Sequence, residues 1–397
     1  MQSKKALFPI ILFVGCAAQI ASDIYAPSLP AISAALHTPI MHVQFSMVIY
    51  MFGLAFSQLF YGPISEGFGR RIPLMIGLAL MVVGNIISLF SPTIGVLIAG
   101  RLVQGCGAGA CSVLWRSIFR DTFEGNDLAK YGAYLSIFVT FIIPAAPTLG
   151  GYLQEWFDWR ASFAFLTIYT LCTLSLVFFR LKETSKHHHR DRMKPSFITT
   201  TFKHVLSSPI FVGYTLCTFL CYGAFFSWFA VGPVLLIKQV GISPSEFGWL
   251  TFLCSGMATA FGGFFSGRLV STLGTATMMR TGFSLVFISG MIMLISKFIW
   301  GIHTWDIVLP MAIFYFGVTF VWPSAFAGAF GPFGKIAGYA GALYGFMQIG
   351  GAAVLGTVVS YLPHTNQVPL ACIFILTAII AASVFEMTYA REQHAKA

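Results

Sequence analysis

Two charged residues stand inside otherwise apolar stretches, and each has chemistry its neighbours lack. Asp23 follows the run ALFPIILFVGCAAQIAS, and Arg101 opens RLVQGCGAGA. A charge at bilayer depth costs about 2.5–3.5 kcal/mol on insertion scales, so such residues face a bundle interior or a watery cavity. Of the 13 acids, Asp23 alone lies among hydrophobic neighbours within an apolar stretch. A carboxyl group excluded from water favours its proton-loaded form, which is what a group ferrying protons needs. Arg101, if it shares a depth with Asp23, would oppose that tendency, and making and breaking their contact would modulate proton affinity. The plainer readings are an end-cap touching interfacial water and a static ion pair.

Both residues need a membrane to be unusual, and composition supplies one. Charged residues make up 9% and hydrophobic ones 57%, with a mean hydropathy of +0.81. A soluble domain carries about 25% charged residues. Nearly apolar stretches of about 20 residues recur, each long enough for a hydrocarbon layer of about 30 Å. The pattern predicts an all-α integral membrane protein with twelve spans: 6–26, 44–63, 72–91, 93–115, 131–152, 162–181, 209–231, 246–267, 276–297, 306–328, 336–360 and 367–388. The first is not read as a cleaved leader, because no A-x-A-like site follows it. On this layout Arg101 lies roughly 12 Å inside the outer surface, at 1.5 Å per residue.

With the N-terminus inside, nineteen of the 23 Lys and Arg residues fall on the cytoplasmic side. The positive-inside rule therefore puts both termini in the cytoplasm. It also accounts for the net charge of +10, so nucleic acid is not called for as a partner. The eight cysteines all fall within spans and read as packing. Cys217 and Cys221 are one turn apart, but two thiols make a poor metal site. The HHHR tract at 187–190 reads as a solvated basic loop rather than a metal site. No cofactor or metal is expected.

The polar loop 182–208 divides the chain into an N-terminal six-helix bundle, 1–181, and a C-terminal one, 209–397. GPISEGFGRR from Gly62 is echoed by GFFSGRLVSTLG from Gly263, aligning Gly62 with Gly263 and Ser65 with Ser266. Two parallel six-span repeats with substrate held between them are a transporter architecture. Gly105 and Gly109 give span 4 a face that another helix can approach closely, and Gly338, Gly341, Gly345, Gly350 and Gly351 do the same for span 11. Pro144 and Pro147 free backbone carbonyls in span 5, and Gly150 and Gly151 pack its outer end. In span 7, Tyr222, Phe226 and Phe229 fall on one face, so they are candidates to line a substrate cavity. Tyr25, Tyr50 and Trp322 are candidates by position.

These motifs together resemble the major facilitator superfamily. GPISEGFGRR resembles its signature between spans 2 and 3, and RLVQGCGAGA its span 4 pattern. PAAPTLGGYL from Pro144 is similar to the proline- and glycine-rich signature of proton-coupled antiporters. With DIYAPSLP, WRSIFRD and FAVGP, the chain is identified as similar to the bicyclomycin/chloramphenicol-resistance branch of the twelve-span drug:proton antiporters. The resemblance implies a monomeric transporter with a small-molecule substrate, protons and a lipid bilayer as its partners. It implies that Pro144, Pro147, Gly150 and Gly151 seal the cavity against leak. It also implies a cytoplasmic latch built from Gly62, Glu66, Arg70 and Arg71, with Glu66 meeting Arg116 or Arg120 when the inner mouth is closed. Glu66 stands where aspartate is usual, and Gly67 replaces a basic residue.

The expected function is proton-coupled efflux of small amphipathic molecules across the bacterial inner membrane. The alternatives are export of an endogenous metabolite such as a polycarboxylate siderophore, and import of a nutrient. A membrane-embedded enzyme would need clustered catalytic residues, whereas His37, His42, His303 and His364 are scattered.

Overall fold

The structure, a computed structural model, describes residues 4–185 and 195–396; the HHHR tract lies outside them. The described residues form helices with no strand. In lipid the backbone must satisfy its own hydrogen bonds, and apolar sequence of this length does so as helix. The first span is α1 (Lys4–Asp23), a 3-10 turn (Ala26–Ser28) and the short α2 (Leu29–Ala35). Then follow α3 (Ile40–Phe68), α4 (Arg71–Leu89), α5 (Ile94–Thr122), α6 (Gly125–Trp156) and α7 (Arg160–Arg180). A linker helix, α8 (Pro195–Leu206), precedes α9 (Pro209–Pro233), which continues as a π-helical stretch to Val240. The rest comprises α10 (Pro244–Thr251), α11 (Met257–Ile299), α12 (Thr304–Phe330), α13 (Ala337–Ser360) and α14 (Val368–Lys396).

Eleven helical runs among the described residues are long and apolar enough to cross a membrane. One of them, Pro244–Ile299, has 56 residues. At 1.5 Å per residue that is about 84 Å, far more than one crossing. It turns over at Gly274, whose φ of 76° a residue with a Cβ rarely adopts. The run therefore supplies the eighth and ninth crossings without a loop, which makes twelve. Two other expectations also change. Span 1 extends past Asp23 to Ala35, and the linker carries a helix. Phe197 and Phe202 of α8 pack on Tyr339 of α13, with ring centroids 5.7 and 6.2 Å apart.

Helices α1 to α7 pack on one another around α5, and α9 to α14 around α9 and α11. The two groups meet along α3 against α13 and along α6 against α10. The end of the molecule bearing the termini and linker is called here the terminal face, and the opposite end the far face. Glycines set the closest approaches. A Cβ at Gly105 of α5 would overlap the Tyr50 carbonyl of α3, and one at Gly351 of α13 would overlap the Phe219 carbonyl of α9.

Candidate functional site: a buried charged centre between two helical groups

Asp23 is the last residue of α1, capped by the turn into α2 and only 2% exposed. Its Oδ2 has no hydrogen-bond partner among the described residues. Its charge acts on Tyr50 of α3, on Tyr222 of α9 and on Tyr315 of α12, which places it where both helical groups converge.

Arg101 is fully buried in α5. It lies within electrostatic reach of Asp23, but no ion pair joins them in this conformation. Aromatic faces hold it instead: its guanidinium carbon lies 4.4 Å from the Tyr25 ring centre and 4.1 Å from that of Tyr50. Cation–π attraction of this desolvated kind is worth about 2 kcal/mol. Nη1 donates to the Ala21 carbonyl at 2.9 Å and to Gln104 Oε1 at 2.5 Å. Gln104 donates in turn to Asn85 Oδ1, and Asn85 Nδ2 to Thr170 Oγ1 at 3.0 Å. The result is a polar ladder through α5, α4 and α7. Arg101 Nε and Nη2 have no partner among the described residues.

Tyr25 and Tyr50 were candidates for a cavity wall. Both are fully buried, and their hydroxyls are taken by Ser46 Oγ (3.0 Å) and by the Ala18 carbonyl (2.5 Å). They are partners of Arg101. In α9, Phe226 is buried with its ring against Gly356 of α13. Phe225, not Phe226, is the half-exposed ring of that turn; it lies 5.4 Å from Tyr222, 5.4 Å from the buried Phe229, 5.5 Å from Trp322 and 5.2 Å from Tyr315. Adjacent residues on a helix point about 100° apart, so a uniformly aromatic stretch hides which one faces inward.

At the far face the two groups are stitched together. Gly151 of α6 meets the Pro244 backbone of α10, and Gly248 meets the backbone of Pro147 and Thr148, each too closely for a Cβ. Gly150 meets the Ile24 carbonyl of the first span in the same way. The α6 helix runs unbroken through Pro144 and Pro147, with Gly256 opposite Pro144. Ser245 N donates to Glu155 Oε1 at 2.8 Å, and Trp249 Nε1 to Tyr152 OH at 2.9 Å. Gln44 Nε2 of α3 donates to the Ala230 carbonyl at 2.8 Å and lies 2.9 Å from His364 Nε2. Sequence reasoning passed over Gln44 and Gln104; an amide deep in an apolar span was the available signal.

The terminal face is arranged differently. Glu66 was expected to meet Arg116 or Arg120, but no hydrogen bond or ion pair joins them here. Glu66 lies beside Gly338 at the start of α13, and Gly62 faces Ala342. Arg70 makes the ion pair instead, with its Nε 3.2 Å from Asp121 Oδ2 and its Nη1 donating to Ser65. The backbone N–H groups of Arg70 and Arg71, at the start of α4, donate to the Glu183 carboxylate at 2.8 and 3.1 Å. Gly69, at φ 86°, leaves room for that carboxylate. Arg71 Nη2 donates to the Phe178 carbonyl at 2.6 Å.

Comparison with known proteins is consistent across the chain. The sequence profile of the Major Facilitator Superfamily matches residues 11–355. A bicyclomycin resistance protein homolog of Haemophilus influenzae is 26% identical, over 100% of this chain and 99% of its own. Multidrug resistance protein D of Escherichia coli is 29% identical over 94% of this chain and 93% of its own. A chloramphenicol resistance protein of Pseudomonas aeruginosa is 28% identical over 92% and 87%. In fold the chain is similar to the xylose transporter XylE from E. coli in a partially occluded inward-open conformation, with a TM-score of 0.71, 13% identity and coverage of 96% and 97%.

Proposed function

The chain belongs to the major facilitator superfamily, and from that premise we propose that it exports small amphipathic molecules, drugs among them, in exchange for protons. A multi-pass transporter rather than an enzyme, it takes small molecules as its cargo and works as a single chain. Its setting is the bacterial inner membrane, with the terminal face in the cytoplasm. The two six-helix groups, residues 1–181 and 209–397, rock about the centre, with 182–208 linking them.

One observation carries the proton coupling. Asp23 is buried where the groups converge, with an unpaired oxygen and no ion-pair partner. A buried carboxylate in that position is stabilised by taking up a proton, and it loses that advantage when the cavity opens to water. Arg101, fixed by two aromatic faces and the Gln104–Asn85–Thr170 ladder, supplies a constant positive field beside it. The far-face glycines of α6 then form the seal that blocks leak while the terminal face is loaded.

Inverted vesicles given radiolabelled chloramphenicol and an imposed proton gradient test the reading. Wild-type protein should accumulate the label uphill. Asp23→Asn should fall to the passive level and should release no protons on binding in detergent. Uphill accumulation by the Asn variant at the wild-type rate would remove Asp23 from the coupling.

A further inference from the structure

Arg116 lies six residues from the terminal-face end of α5, one helical turn before Arg120. Its side chain is exposed, yet the groups its charge acts on are Tyr222 of α9 and Tyr344 of α13, both in the other helical group. A side chain reachable by solvent but surrounded by both groups lines the space between them. Its recorded ring contact is with its neighbour Trp115, 5.1 Å from the ring centre, and among the described residues it makes no hydrogen bond or ion pair. A guanidinium has five donors suited to a planar oxyanion, and a membrane-embedded one left without a counter-charge is costly.

A second unpartnered donor lies nearby. Gln58 of α3 is 3% exposed, and its Nε2 has no partner among the described residues. Its Oε1 occupies the space a Cβ at Gly345 would fill, next in sequence to Tyr344. The absence of a side chain at Gly345 thus admits the amide into the wall of the same space. Tyr222 feels both Asp23 and Arg116, so it stands between the proton-binding carboxylate and this cation. Gln19 Nε2 donates to the Tyr222 hydroxyl at 3.3 Å.

We propose that Arg116 and Gln58 form an anion-recognising subsite, and that the molecules exported carry a carboxylate beside their apolar body. This rests on the transport reading above and names its substrate class. Arg116 grips the carboxylate, Gln58 donates a further hydrogen bond, and the half-exposed Phe225 and Trp322 offer apolar faces to the remainder. The site then holds a negative ligand by a fixed cation while Asp23 carries its proton independently. Cationic compounds are disfavoured by the same charge.

Three matched fluorescent probes decide it: dansylglycine, its neutral amide, and the cationic dansylcadaverine, titrated against the full-length protein in detergent. No gradient is present, so the preference is readable even if proton coupling fails, and coupling is readable even if the preference fails. Wild-type protein should bind dansylglycine roughly tenfold or more tighter than the amide, as expected for a hydrogen bond between charged partners, and the cation weakest. Arg116→Gln should collapse that ratio, whereas Arg116→Lys should retain part of it. Gln58→Glu, which sets an acid in the same wall, should lower the ratio by itself should the Arg116 variants fold poorly. A wild type that does not bind dansylglycine, or binds the amide as tightly, overturns the proposal. So does an Arg116→Gln variant that keeps the full preference.

Discussion

The two ends of the interface are held by different means. At the far face, the polar contacts run between the helical groups: Gln44 to Ala230 and His364, Glu155 to Ser245, Tyr152 to Trp249. They are reinforced by backbone approaches at Gly151 and Gly248. At the terminal face, the charged contacts described knit each group to itself. Arg70 pairs with Asp121 and Glu183 sits on the start of α4, all in the first group, while Arg280 meets Glu386 at 2.6 Å within the second. Glycines of the α6–α11 seam that meet a neighbour at the far face give way to Gly263 and Gly267, which meet none. An interface stitched across one end and only within its halves at the other parts at the second end first. In this conformation the far face is the closed one.

That contrast can be broken most forcefully at Gly151. Gly151→Leu should overpack the seam, costing the far-face closure about 1–3 kcal/mol. Spin labels at 155 and 245 should move apart and transport should fall by tenfold or more, each 1.4 kcal/mol being roughly a factor of ten. Unchanged distances would mean the seam is not tight.

A moderate effect is expected at His364. Gln44 Nε2 can only donate, so the His364 nitrogen facing it must be an acceptor and the ring neutral. Burial pushes this histidine below its ordinary range, with a hydrogen bond to the Val359 backbone opposing in part. A depressed histidine favours closure above its open-state pKa and loses that contribution as pH falls. The 155–245 distance should therefore shift toward the open population as pH drops from 7.5 to below about 6.5. His364→Gln should flatten the profile, and Gln44→Leu should cost closure about 1–3 kcal/mol at every pH. A pH-independent distance in wild type would separate His364 from the closure.

The smallest effect belongs to the terminal face. Burial alone would raise the Glu183 carboxyl, but the backbone N–H groups of Arg70, Ser185, Arg71 and Thr184 outweigh it and hold the group below the usual carboxylate range. Its contribution is present at neutral pH and fades as pH falls below about 4.3. Glu183→Gln should lower stability at pH 7 by about 0.5–1 kcal/mol, the exposed setting limiting the gain. It should leave the 155–245 distance unaltered, because this contact lies within one half. A change in that distance would blur the distinction between the two ends.

What was legible in the sequence followed contrast with lipid. Asp23 and Arg101 stood out because charge is rare in apolar runs, and both reach the buried centre. Spans were readable from hydropathy to within a few residues, except where helix continued through Gly274 or past Asp23. Contacts among like residues were not readable. Phe225 and Phe226 are equally apolar, so periodicity offered no reason to choose between them. Tyr25 and Tyr50 became partners of Arg101 because distant helices place their rings on either side of it. Arg70 rather than Arg116 meets an acid because the turn at Gly69 aims it at Asp121, a geometry that no linear spacing encodes.

The corner at Gly274 has a mechanical consequence. Loops between spans hold slack, so one helix can swing while its successor stays in place. Between the eighth and ninth crossings there is no slack: helical hydrogen bonding runs to the corner from both sides. Displacement of the terminal end of the eighth crossing is delivered to the ninth as the throw of a crank, with one residue as its pin. The ninth packs along α12 and α14, so the second group takes up the motion as a rigid train.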